Sequence, residues 1–476
     1  MTPMTNSTAW QALKQHCQKI APLHLRELLT SDPKRFDQLK LQLSSGNGNL
    51  LLDISKQRLT PETLVLLRQL AEERNWTDWR ERFERGETIN HTEGRAVAHH
   101  WLRAGESAPV EVRDTLARIA NFCERVHSAQ WRGFSGEHIT DVVNLGIGGS
   151  DLGPRMAVQA LQAFQHPDLR VHFVANLDSA DLASTLAELN PRTTLFIVAS
   201  KTFSTLETLT NAHTARQWLL HAAADENAIA KHFVAASTNL AATREFGIAA
   251  ENVFPFSDWV GGRFSLWSSI GLSIALAVGF DHFSQLLAGA QAMDMHFFTA
   301  DAENNLPLTL ALLTLWNRNF LDIRSHGIFP YSHSLRLLPA HLQQLEMESN
   351  GKQIDREGLA VNYPTNPILW GEAGTNGQHS FFQLLHQGGE TVASDFIALA
   401  QPDLPLPGHH TGLLANCLAQ SAALALGQTT EETRAAGVSE ALVPYRTFPG
   451  NQPSTTILLP ALTPYSLGQL IALYEH

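Results

Sequence analysis

Apolar residues recur at helical spacing through the first 140 positions. Leu64, Leu67 and Leu70 with Val65 and Leu66 form one face, and Val112, Leu116, Ile119, Ala120 and Cys123 form another, at steps of three and four. From Asp141 the pattern changes to short β-branched runs at 142–147, 171–175, 194–199, 233–236 and 253–256, separated by helix-length segments. A helical connection around 308–323 leads to a second alternation, with candidate strands at 327–331, 368–370, 392–398 and 456–459. Strands alternating with helices predict an α/β fold of parallel sheets covered on both faces. The chain reads as a helical N-terminal segment at 1–140 and two α/β units at 141–290 and 291–476. Leu467, Leu470, Ile471 and Tyr474 form a last helical stripe, and no stop signal precedes His476, so the sequence reads as ending inside an element.

A length of 476 residues leaves room for two sizeable cores. With 44% hydrophobic and 17% charged residues, the composition excludes a disordered chain. A formal net charge of −12 argues against a nucleic-acid or anionic-membrane surface. The most apolar stretch, 266–280, is broken by Ser268, Ser269, Gly271, Ser273 and Gly279 and falls short of the ~20 residues a bilayer crossing needs, so it reads as a buried helix. Cys17, Cys123 and Cys417 are too few and too dispersed for a disulfide framework or a cysteine zinc site, which fits a reducing compartment. Lys14, Gln15 and His16 fall where a signal peptide needs its apolar core, so the expected location is the cytoplasm. The 22 histidines, among them His99-His100 and His409-His410, include no H-E-x-x-H spacing, and no metal is expected.

In an open parallel sheet the ligand binds beyond the carboxyl ends of the strands, so strand-to-helix turns carry the chemistry. The first, Gly146-Ile147-Gly148-Gly149-Ser150-Asp151-Leu152-Gly153-Pro154, has Asp151 where a dinucleotide motif needs glycine, and its carboxylate would repel a pyrophosphate. The second, Ser200-Lys201-Thr202-Phe203-Ser204-Thr205, gathers hydroxyls and an ammonium at a helix start. It predicts a monophosphate cradle, with Ser204-x-x-Glu207 as a capping box; the plain alternative is a Ser/Thr-rich helix cap. In the third, Gly261-Gly262-Arg263, two glycines let a guanidinium approach an anion. The fourth, Gly371 to His379, carries Thr375-x-x-Gln378 as a second capping box and so places His379 in a first helical turn. Between the last two, Leu342, Leu345 and Glu348 share a helical stripe. That predicts an inward carboxylate with a raised pKa, or else a salt bridge at a helix end. Together these groups suit proton transfer beside the carbonyl of a phosphorylated sugar: a carboxylate moves the proton, a cation steadies the enediolate, and an acid/base opens the ring. Neither metal nor redox cofactor is needed.

The segments Asn144 to Pro154, Ser200 to Thr205, Gly261 to Trp267, Met347 to Lys352 and Gly374 to His379 resemble the glucose-6-phosphate isomerase family, in order and in spacing. Asn90 to Ala96 and Gly450 to Ser454 resemble two further family segments, so the similarity runs from about residue 90 to the end. The resemblance implies two flavodoxin-like sugar-isomerase (SIS) domains and a homodimer whose active sites take residues from both subunits. It also implies cytoplasmic interconversion of glucose 6-phosphate and fructose 6-phosphate through a cis-enediol, in glycolysis and gluconeogenesis. By the same resemblance Glu348 is the base, Arg263 stabilises the intermediate and His379 assists ring opening. Ser150, Ser200, Lys201, Thr202 and Thr205 hold the phosphate, Gln344 lines the sugar site, and Glu207 orients His379 in addition to any capping role. Ala373 and His91 replace a usual proline and tyrosine, away from these groups. Family chains continue past the closing Tyr-Glu-His into a segment carrying a substrate-contacting glutamine and lysine, so the resemblance implies that this C-terminal segment is missing. Two competing readings are a non-catalytic sugar-phosphate-binding SIS protein and a nicotinamide dehydrogenase, the latter disfavoured by Asp151.

Overall fold

The computed structural model describes residues 3–45 and 48–476. Strands β1 (Lys40–Ser45) and β2 (Gly48–Asp53) form an antiparallel hairpin. Strands β3 (Asp141–Leu145), β4 (Arg170–Val174), β5 (Thr194–Ala199), β6 (Phe233–Ala236) and β7 (Val253–Phe254) build a parallel sheet in the order β4-β3-β5-β6-β7. Strands β8 (Ser325–Pro330), β9 (Ile368–Gly371), β10 (Ala393–Leu399) and β11 (Ser454–Leu459) join the hairpin in a second sheet, ordered β1-β2-β11-β10-β8-β9. Every residue of β3, β5, β6 and β10 is buried, the expected state of a parallel strand covered on both faces. All nine strands expected from the β-branched runs are present, with ends shifted by a few residues at most.

Both sheets share one connectivity. The first parallel strand lies between the second and the third, in β4-β3-β5 and again in β9-β8-β10. Successive crossovers therefore leave on opposite sides of the starting strand, and a crevice opens where they part, beyond the carboxyl ends of β3 and β5 and of β8 and β10.

The N-terminal 140 residues do not form a helical segment of their own. One compact unit comprises Met1–Glu81, Met293–Leu462 and Leu473–His476; the other comprises Arg82–Ala292 and Thr463–Ala472. The first assignment follows from the hairpin, because β2 pairs with β11 through Asp53↔Thr456, Leu52↔Ile457 and Leu51↔Leu458 while Leu50 and Leu52 are fully buried. The helix Val110–His127 belongs to the other unit, where Ile119, Phe122 and Cys123 are buried and Phe122 packs on Phe254 at 5.3 Å. The apolar stretch expected as one helix is two tight turns, Gly262–Trp267 and Ser269–Gly271, followed by a buried helix, Leu272–Val278. Its serines cause the break by bonding to backbone: Ser268 Oγ donates to Ser265 O at 2.6 Å and Ser269 Oγ to Phe254 O at 2.9 Å. Among the described residues no helix is long and apolar enough to cross a membrane.

The core of the five-stranded unit gathers Val143, Leu145, Phe196, Val198 and Phe233, with the Phe196 and Phe233 rings stacked at 4.8 Å. In the other unit Phe329, Tyr331, Phe382 and Phe396 form the corresponding aromatic core. Within the five-stranded unit, Gly289 and Gly468 let two helices touch backbone to backbone: a methyl on Gly468 would overlap the Leu286 carbonyl, and one on Gly289 the Tyr465 carbonyl. Gly468→Ala is therefore expected to destabilise the protein by about 1–3 kcal/mol, read from the urea midpoint. An unchanged midpoint would mean that the helices part at no cost.

Candidate active site

The reversal point of the five-stranded sheet is lined by three of the four turns. After β3 the chain enters a tight turn, Gly148–Ser150, before the helix Leu152–Ala160. Buried Asn144 folds this turn back over the strand end, its Nδ2 donating to Ser150 O at 3.0 Å. Asp151 is buried and donor-matched to Arg155, whose Nε lies 3.0 Å from Oδ1; burial raises its pKa and Arg155 opposes that rise.

After β5 come Ser200 to Thr205. Ser200 is buried, with Oγ 3.3 Å from Thr205 Oγ1. The segment is fastened from behind: Lys201 O accepts from Thr238 N at 3.0 Å, Thr238 Oγ1 at 2.7 Å and Ser237 Oγ at 3.1 Å, and Thr202 O accepts from Asn239 Nδ2 at 3.0 Å. The capping box expected of Ser204 and Glu207 is not formed. The helix starts at Leu206 with Thr205 as its cap residue, and Ser204 Oγ donates to Thr202 Oγ1 at 2.7 Å instead. The cause is Phe203, which is buried in the core at φ +51° and turns the chain there. Glu207 keeps a place in the first helical turn, favourable to the helix dipole.

Lys201 Nζ donates to Asp258 O at 2.5 Å and to Val260 O at 3.1 Å, which ties the cradle to the loop before Gly261. Arg95 Nη1 donates to the same Asp258 O at 2.5 Å. Burial lowers the Lys201 pKa, nearby Arg95 adds to the effect, and Asp258 opposes it. Two cations thus converge on one carbonyl, and Arg95 is also ion-paired with Glu93. Arg95 lies in the Asn90 to Ala96 segment already noted for its resemblance, but no role attached to it in the sequence because nothing local pairs it with Lys201.

The third turn closes this group. Arg263 is the second residue of the turn Gly262–Trp267, its guanidinium 5.3 Å from the Phe264 ring centre. Gly149 is pressed against it so closely that a methyl there would overlap Gly262 O and stand 2.6 Å from Arg263 N. Ser150, Ser200, Lys201, Thr202, Thr205 and Arg263 are therefore carried on three mutually fastened turns at one sheet edge.

The remaining candidates belong to the six-stranded unit. The helix Leu338–Leu342 widens into a π-helical turn, Gln343–Glu348. This widening overturns the expectation for Glu348: the extra residue per turn carries it off the buried Leu342 and Leu345 stripe, and its side chain is exposed. Gln344 Nε2 donates to Glu348 Oε2 at 2.9 Å, and Lys352 Nζ donates to the Glu348 carbonyl at 2.5 Å. Two positions earlier, the half-buried Glu346 has its pKa pushed up to about 7, chiefly by burial. The second capping box is absent too. The helix Gly374–Gln378 starts one residue before Thr375, and His379 stands exposed just past its end, its N–H donating to Asn376 O at 3.1 Å. The start is fixed by Ala373, which is buried, and by Gly374, which lies flat against the Tyr331 ring where no Cβ fits.

Two doubly wound sets of parallel strands of this connectivity, each with its own reversal point, are the flavodoxin-like class of α/β fold. The profile of the phosphoglucose isomerase family matches residues 53–476. A glucose-6-phosphate isomerase of Dechloromonas aromatica is 65% identical over 476 residues, covering 100% of this chain and 90% of that one. One from Methylococcus capsulatus is 50% identical over 493 aligned residues, with the same coverage. The crystal structure of a glucose-6-phosphate isomerase from Chlamydia trachomatis superposes with a TM-score of 0.87 at 32% identity, over 100% of this chain and 90% of that one. The chain belongs to the phosphoglucose isomerase family.

Proposed function

We propose that this chain interconverts glucose 6-phosphate and fructose 6-phosphate as an aldose–ketose isomerase acting through a cis-enediol, in glycolysis and gluconeogenesis. The observation that carries the reading is the exposed Glu348 carboxylate, aimed outward by a π turn and held by Gln344, in a chain that matches isomerases over its whole length. A carboxylate of this kind takes the proton from C2 of the open-chain aldose and returns it to C1, with no net change in oxidation state of the molecule as a whole. Arg263 supplies the charge that steadies the enediolate oxygen, and His379 supplies the acid/base that opens the sugar ring. Ser150, Ser200, Lys201, Thr202 and Thr205 hold the phosphate, Gln344 lines the sugar site, and Glu207 orients His379. The enzyme works in the cytoplasm as a homodimer with shared active sites, on hexose phosphates and without a cofactor.

The purified chain, given fructose 6-phosphate alone, is expected to produce glucose 6-phosphate to equilibrium, followed by NMR without coupling enzymes. Tight hexose-phosphate binding with no turnover would instead make it a sugar-phosphate-binding protein. The cradle has its own test. Lys201→Met removes a charge-assisted hydrogen bond and is expected to weaken inorganic phosphate binding by roughly tenfold to a hundredfold in calorimetry. Unchanged phosphate affinity would move the phosphate site elsewhere.

A further inference from the structure

The turn that carries Arg263 is backed by a segment to which the proposed chemistry gives no role. Residues 95–103 pack along the loop 258–267, and both belong to the five-stranded unit. Four side chains of the first segment fasten the second. Arg95 Nη1 donates to Asp258 O at 2.5 Å, and the Trp101 and Trp259 rings meet edge to face at 5.8 Å. The His99 ring lies nearly parallel to Phe264, 4.5 Å between centres and 15° between planes, and the Arg103 guanidinium stands 4.5 Å from the Trp267 ring centre. His99–Arg103 and Gly262–Trp267 are both tight turns, and His99, Arg103 and Trp267 are buried. The phosphate cradle holds the same loop through Lys201 on Asp258 O and Val260 O, and Gly149 presses on the Gly262–Arg263 peptide.

Within this strap His99 acts nearest to Arg263. Gly261 and Gly262 precede the arginine and have no side chain with which to anchor it, so the next side chain along the sequence is Phe264. The Phe264 ring centre is 5.3 Å from the Arg263 guanidinium, and the same ring is the one that His99 stacks on. His99 also meets the Phe83 ring at 5.2 Å, which adds a second aromatic contact to hold the imidazole in place. A parallel, offset stack fixes the plane of a ring as well as its position. We infer that His99 is a positioning residue: by stacking on Phe264 it fixes that ring against the Arg263 side chain and so sets the direction in which the guanidinium projects.

This inference deepens the isomerase reading and rests on it. The test compares His99→Ala, which removes the stacked ring, with His99→Phe, which keeps a ring and loses the imidazole nitrogens. For His99→Ala, kcat on fructose 6-phosphate is expected to fall about tenfold with KM within about threefold, since a misaimed guanidinium fails the enediolate more than the bound sugar. His99→Phe is expected to stay within about threefold of the wild-type kcat. Hydrogen exchange across residues 261–268, where Phe264 N donates to Gly261 O and Ser268 N to Ser265 O, is expected to speed up about fivefold in His99→Ala and to match wild type in His99→Phe. Exchange across β4 is expected to stay at the wild-type rate in both, which separates a loosened turn from a loosened unit. Equal loss in both variants, an unchanged kcat in His99→Ala, unchanged exchange at 261–268, or faster exchange in β4 as well would overturn the inference. Should His99→Ala fail to fold, Phe264→Leu removes the other ring of the stack and carries the same readings with the same outcomes. Exchange needs no turnover, so it decides whether the stack holds the turn even where the wild-type chain proves inactive and the isomerase reading falls.

Discussion

Glu348→Gln is expected to lower kcat for fructose 6-phosphate by about 10²–10⁴-fold while leaving KM within about threefold, the pattern of a lost general base. Glutamine has nearly the same shape and can still pair with Gln344, so the π turn keeps its geometry while the proton acceptor is gone. The phosphate-holding groups Ser150, Ser200, Lys201, Thr202 and Thr205 stand on the turns after β3 and β5 of the five-stranded unit, whereas Glu348 belongs to the six-stranded one. Binding should therefore persist. Full turnover in this variant would remove Glu348 from the reaction, and a rise in KM equal to the fall in kcat/KM would make it a binding group rather than a base.

Gly149→Ala is expected to cost about 10²-fold in kcat/KM, the second largest effect of a single substitution here. The added methyl has no room, because it meets backbone on both sides of the Gly262–Arg263 peptide rather than the end of a flexible side chain. One of the two turns must move, which displaces either Ser150 or Arg263 from the other members of the group. The loss should appear in phosphate affinity by calorimetry and in kcat/KM together, with the thermal midpoint lowered by only a few degrees, since the clash lies at a turn and not in the core. Wild-type kinetics in Gly149→Ala would show that the close approach of these turns has no bearing on the site.

The strands were legible because parallel strands buried on both faces leave unbroken apolar runs, as in Leu195 to Ala199. The hairpin at β1 and β2 was not, since Leu50, Leu51 and Leu52 suit helix and strand alike, and only the pairing with β11 decides between them. Both capping boxes failed for one physical reason: local hydrogen-bond grammar was overruled by a neighbour that had to be buried. Phe203 enters the core in a left-handed conformation and delays one helix to Leu206, whereas buried Ala373 and Gly374, the latter against the Tyr331 ring, advance the other. The outward turn of Glu348 has a similar origin. An α-helical period puts Glu348 on the face of Leu342 and Leu345, but the π turn inserts its extra residue between them, and no periodicity in Gln343 to Glu348 announces it. The closeness of Ser200 and Thr205 was legible because strand-end position and hydroxyl density are sequence properties. Arg95 was not singled out, since its nearness to Lys201 arises only through the shared Asp258 carbonyl.

The most direct measurement is isomerisation of fructose 6-phosphate in deuterium oxide, with the deuterium at C2 of the glucose 6-phosphate product counted by NMR for the wild-type chain and for Glu348→Gln. A carboxylate base that exchanges with solvent while the enediol waits is expected to leave deuterium at C2 in a large share of wild-type product and to leave next to none in the variant over the same time. Rapid isomerisation with equal deuterium incorporation by both proteins would contradict proton transfer by Glu348.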